Sequence, residues 1–220
     1  MDFYAQVISG LKDMNTASYE LDRKEKIIGL TKNIVILFIL TTILYGISSF
    51  LGIGNEVVSR ELEQYNAHDF ELNKLLFAIG QVSWAWVFLS INLFLVPLYF
   101  YVFTEIDYQK LLHIQLLAAF VLLLEKLLLI PLQLFFGLTS LSSIFSFGII
   151  VQALTTKQIF YYIGAEITLF KIWMIYIQYK YLSILSGKSR RFIFLIVIVL
   201  YVFFLLIAVL TQYWKLEELL

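Results

Sequence analysis

The stretch FIFLIVIVLYVFFLLIAVLTQYW at 192–214 carries no charged residue, and four further apolar runs precede it. A helix rises about 1.5 Å per residue, so a run of about 20 residues matches a hydrocarbon layer of about 30 Å. Residues 33–53, 75–103, 111–136 and 165–186 have comparable length and apolar character. Hydrophobic side chains make up 61% of the chain, charged ones 15%, and the mean hydropathy is +0.86. Soluble domains average about 45–50% apolar and about 25% charged residues. The expected fold is therefore all-α, a polytopic transmembrane bundle of about five spans, with the lipid bilayer as its solvent.

Orientation follows from Lys and Arg, which concentrate on the cytoplasmic side of short loops. The N-terminal segment 1–32 carries Lys12, Arg23, Lys24, Lys26 and Lys32; later turns carry Lys110, Lys188, Arg190 and Arg191. Five spans with a cytoplasmic N-terminus put all of these on one side. The acidic loop with Glu56, Glu61, Glu63, Asp69 and Glu71 then faces outward, as does the tail 215–220. Residues 139–164 hold an apolar piece of about ten residues, a length more often re-entrant or interfacial than spanning. They are read as a short helix at the outer surface; a sixth span would carry Lys188, Arg190 and Arg191 outside. Phe3, Tyr4, Val7, Ile8 and Leu11 are spaced for an amphipathic helix over the first 12 residues. Such a helix lies on the inner leaflet or docks on the protein's own inner face. The first apolar run is read as a retained signal anchor, and residues 33–214 as one domain.

Zero formal net charge argues against a nucleic-acid partner. The absence of cysteine excludes disulfides and thiolate chemistry. His68 and His113 fall on opposite sides, so no catalytic or metal-binding histidine set forms. Glu61, Glu63, His68, Asp69 and Glu71 are read as a solvated acidic face rather than a cation site. No catalytic residue, metal site or cofactor is expected, and the chain is read as non-enzymatic.

Charges inside a span are costly, roughly 2.5–3.5 kcal/mol each at a helix centre, and mark a functional or packing site. Glu125 and Lys126 lie in the third run, Glu166 and Lys171 in the fourth. Neighbours on a helix point about 100° apart, so Glu125 and Lys126 cannot pair well with each other. The expected bridge joins Glu125 to Lys171, leaving Lys126 to snorkel or to approach the Leu127 carbonyl. Pro97 and Pro131 each remove a helix hydrogen bond and are candidate kinks. Gln81, Ser83, Ser90 and Asn92 suit hydrogen bonds between helices. Trp84, Trp86, Tyr213 and Trp214 are read as outer anchors, and Tyr99, Tyr101 and Tyr108 as the inner belt.

At the fourth run the chain reads Glu166-Ile-Thr-Leu-Phe170-Lys-Ile-Trp173. After an apolar stretch it continues Leu182-Ser-Ile-Leu-Ser186-Gly-Lys188-Ser-Arg190-Arg191. This pattern, with prolines late in the second and third spans, resembles bacterial members of the Yip (Ypt/Rab-GTPase-interacting protein) domain family over about residues 30–214. The resemblance implies an integral membrane scaffold or accessory protein that binds another membrane protein, with an ABC-type exporter as one candidate. Self-association is left open. The alternative is a small transporter or permease subunit using Glu125, Lys126 and Lys171.

Overall fold

The computed structural model describes residues 3–4, 7–24, 27–53, 67–137, 143–155 and 157–213. Two short N-terminal helices, α1 (Val7–Lys12) and α2 (Met14–Asp22), come first. Phe3–Tyr4 (β1) pairs in parallel with Ile27–Ile28 (β2). Phe3 and Tyr4 are thus extended, and the helix expected over the first 12 residues begins only at Val7.

Then come α3 (Leu30–Phe50) and α4 (Ala67–Ser90). A π-helical turn at Ile91–Leu95 leads from α4 into α5 (Val96–Thr104). Next are α6 (Tyr108–Phe136), α7 (Gly148–Leu154) and α8 (Gln158–Glu166). The described chain ends with α9 (Leu169–Leu185) and α10 (Arg190–Tyr213).

Among the described residues, four helical segments are long and apolar enough to cross a membrane: Leu30–Phe50, Leu72–Thr104, Tyr108–Phe136 and Arg190–Tyr213. These mark a membrane protein built as a helical bundle. The expected fourth span, 165–186, is different. Ile167 and Thr168 are extended, so α9 starts at Leu169 and has 17 residues, about 25 Å of helix. It falls short of the hydrocarbon thickness alone, and α8 precedes it across the break. The single short helix expected in 139–164 is two, α7 and α8, packed as a hairpin. At 7 and 9 residues neither can form the alternative sixth span.

The centre of the bundle is α6, with 56% of its most apolar window buried against 22% for α3 and α10. Leu117 and Val121 of α6 pack with Ile177 and Tyr181 of α9 and Ile196 of α10 in the main core. A second cluster joins Leu37 of α3 and Leu93 of the π turn to Leu116 and Leu123 of α6. The prolines fit without ending either helix. Pro97 takes the second position of α5, just after the π turn, where the local hydrogen-bond pattern has already shifted. Pro131 lies inside α6, which continues to Phe136.

One end of the bundle gathers the basic turns. Lys188, before α10, reaches Glu105 between α5 and α6 at 3.1 Å. Lys110, on the first turn of α6, donates to the carbonyl of Asp22 in α2 at 2.8 Å. The N-terminal helices and the turn before α10 therefore share an end, as the expected topology requires. Gly10 fits where a larger residue would crowd: a Cβ there would lie 3.2 Å from the Leu117 side chain. The Tyr181 hydroxyl donates to the Gly10 carbonyl at 2.9 Å. Of the two placements foreseen for this segment, docking on the protein's own face is the one observed.

Candidate functional site

Glu125, Glu166 and Lys171 meet at the break between α8 and α9. Unpaired backbone groups are expensive away from water, and the chain satisfies them locally. Phe147 N–H donates to the Ile167 carbonyl and Leu169 N–H to the Phe145 carbonyl, both at 3.0 Å, around a Ser146–Thr168 bridge. The Thr168 hydroxyl oxygen accepts from Lys171 N–H at 3.1 Å and caps α9. Ser146 donates to the Ser143 carbonyl at 2.8 Å. Close approach of α7 and α8 depends on glycine: a Cβ on Gly164 would lie 2.8 Å from Val151 Cγ2.

Around this break the side chains are polar. Lys171 pairs with Glu166 across the interruption. Gln212 Nε2 donates to Glu166 Oε1 at 2.8 Å, and the Tyr201 hydroxyl to the Glu166 carbonyl at 3.2 Å. Glu125, only 7% exposed, sits against the Thr168 hydroxyl and feels the charges of Lys171 and Glu166. Thus Glu125, Glu166 and Lys171 come together, but the expected Glu125–Lys171 bridge is replaced by Glu166–Lys171. The reason is the break: it frees Glu166 from the α9 helix and lets it fold back on the first turn of α9.

Lys126 does not join them. Its ammonium lies 5.0 Å from the centre of the Tyr45 ring on α3, in place of the expected snorkelling or Leu127 contact. A ring face supplies favourable electrostatics to a partly buried cation.

The polar residues of α4 also differ from expectation. Ser90 donates to the Trp86 carbonyl and Asn92 to the Phe88 carbonyl, both within the same helical run. The link to α3 comes from Trp86, whose indole N–H donates to Thr42 at 2.9 Å. Tyr99, read as part of a belt, instead turns inward and donates to the Ile196 carbonyl. A buried pair absent from the sequence reading, Gln178 Nε2 to Gln115 Oε1 at 3.1 Å, ties α9 to α6. The acidic residues at 56–63 lie outside the described residues, as does the tail 215–220. The side chains of His68, Asp69 and Glu71 are likewise outside the description.

A second feature lies on the outer face of α4. Ser83, Trp86, Val87, Ser90, Ile91, Phe94 and Leu95 line a shallow, open and mainly apolar depression of about 540 Å³ beside the π turn. One turn before it, Gly80 has no atom within 4 Å of where its Cβ would be.

No family model matches this chain, and neither a curated protein nor a solved structure does.

Proposed function

We propose that this protein is a non-enzymatic, multi-pass membrane accessory protein that holds a transmembrane helix of another membrane protein in the α4 groove. The observation that carries this reading is the groove itself. It sits near the middle of the 33-residue Leu72–Thr104 span. Gly80, Ser83, Val87 and Ser90 follow one another at spacings that line one helix face. Gly80, Ser83 and Ser90 are small, and small residues on one face let a second backbone come close, which is how helices associate in lipid. The Yip-like pattern around Phe170 and Trp173 supports an accessory role, with an exporter subunit as one candidate partner. In this reading the basic end faces the cytoplasm of a cell membrane.

Affinity purification in mild detergent tests it. The wild type should retain a stoichiometric membrane protein, and Gly80→Leu with Ser83→Leu should lose it. Gly46→Leu, also in open space but on α3, should not. Retention of the partner after the groove is filled, or repeated recovery of the chain alone, overturns the reading; recovery of a second copy turns it into self-association.

The charge centre at the α8–α9 break favours a second reading, a small transporter or permease subunit. Broken helices with polar groups at membrane depth are common at transport sites. Flux of protons or small solutes in proteoliposomes, lost in Glu125→Gln, would support it. No flux across a broad solute panel would remove it.

A further inference from the structure

The cluster at the α8–α9 break holds two carboxyls and one ammonium, of which Glu125 is buried and the other two are partly buried. Lys171 is engaged by Glu166, so Glu125 is the carboxyl in excess. We propose that Glu125 is a proton-binding site, holding one exchangeable proton while the Lys171–Glu166 pair closes the break. This stands apart from the docking role of α4.

The surroundings of Glu125 carry the proposal. On α8 and α9 it faces Glu166, Thr168 and Lys171. Tyr45 on α3 and Tyr201 on α10 lie in its neighbourhood. On its own helix the next residue is Lys126, which is held at Tyr45. Apart from the Lys171–Glu166 pair, whose two charges engage each other, its polar neighbours across the interface are hydroxyls. A hydroxyl accepts from a carboxylic acid and donates to a carboxylate, so the proton can come and go without moving heavy atoms. An ionised Glu125 would add an uncompensated negative charge at membrane depth, the costliest arrangement available.

A proton fits this position better than a metal cation. Hard cations take about six or more oxygen ligands, and no group of three or more acidic, histidine or cysteine side chains converges among the described residues. The Lys171 ammonium also repels a metal ion. The exchange is a simple transfer: water or hydronium delivers a proton to a carboxylate oxygen, and deprotonation returns it to water. Once ionised, Glu125 competes with Glu166 for Lys171, and the clamp across the break loosens. The buried Oε1 of Gln212, which has no hydrogen-bond partner, marks a further acceptor beside Glu166.

Infrared difference spectroscopy of the purified full chain in lipid nanodiscs tests this, with the glutamate carboxyls isotope-labelled. A buried carboxylic-acid band should be present, titrate with pH, and disappear in Glu125→Gln. Glu125→Asp, which keeps an acid but not the label, should replace the labelled band by an unlabelled carboxylic-acid band and serves if the glutamine variant fails to accumulate. Replacing potassium by sodium or lithium should leave the band in place. Absence of the band at every pH, its persistence in Glu125→Gln, or an unshifted band in Glu125→Asp overturns the assignment. Loss of the band on adding sodium alone would also overturn it, by making the site a cation site.

Discussion

The ammonium of Lys171, on the first turn of α9, meets the carboxylate of Glu166, the last residue of α8, so one ion pair bridges the interruption between two helices. Removing either partner leaves the other poorly compensated in a partly buried place. Lys171→Met and Glu166→Gln should each destabilise the protein by on the order of 2 kcal/mol. The double change should cost clearly less than the sum. Unfolding of the four forms in mixed micelles reads the coupling directly; strict additivity would mean that the pair contributes nothing.

Space around glycine separates two otherwise similar substitutions. At Gly164 a Cβ would collide with Val151, so Gly164→Ala should destabilise by about 1–3 kcal/mol, as overpacking does. Val151→Ala in the same chain should restore part of the loss. Gly80 has open space, and Gly80→Ala should be neutral or stabilise by up to about 1 kcal/mol, because alanine favours helix. Thermal unfolding in detergent distinguishes the two.

The hydrogen bond from the Tyr181 hydroxyl to the Gly10 carbonyl secures α1 in the groove between α6 and α9. Tyr181→Phe keeps the ring and deletes the bond, leaving a buried carbonyl unpaired. A loss of about 1–2 kcal/mol is expected. Limited proteolysis at Lys12 and Arg23 should accelerate while the membrane-spanning part stays intact. Unchanged cleavage at both sites would show that the bond does not hold the segment.

Asp13 caps α2 by accepting from Thr16 N–H at 3.2 Å. This bonding to Thr16 holds its carboxyl below the usual value of 3.8. A depressed carboxyl stabilises the folded form above its unfolded value, and that contribution disappears as pH falls through the folded value. At neutral pH Asp13→Ala should therefore speed exchange of the α2 amides relative to wild type. The difference should shrink once pH drops below 3.8. A gap that widened in acid would refute the capping role.

Hydropathy makes α3, α6 and α10 legible to within about three residues, because lipid-facing helices need apolar side chains on nearly every face. The second span, Leu72–Thr104, is legible for the same reason. The approach of Glu125 to Lys171 is suggested by the sequence, since buried charges seek one another, but the part of Glu166 is not. The break at Ile167–Thr168 is not. An isoleucine and a threonine sit comfortably in a membrane helix, and what unwinds them is pairing with Phe145–Phe147, contacts that local composition does not encode. Missing the break misassigns Glu166 to the α9 helix and hence gives Lys171 the wrong partner. Lys126 is misplaced for a related reason: the ring that receives it belongs to a span about 80 residues earlier, at Tyr45.

That ring has a bearing on how the chain enters a bilayer. Tyr45 lies on α3, which precedes α6 in the chain. When α6 carries its ammonium into hydrocarbon, an aromatic face that can accept the charge is already present. The order of synthesis thus supplies shelter before need, and a chain with Tyr45 changed to leucine should stall or misorient at α6 rather than at α3.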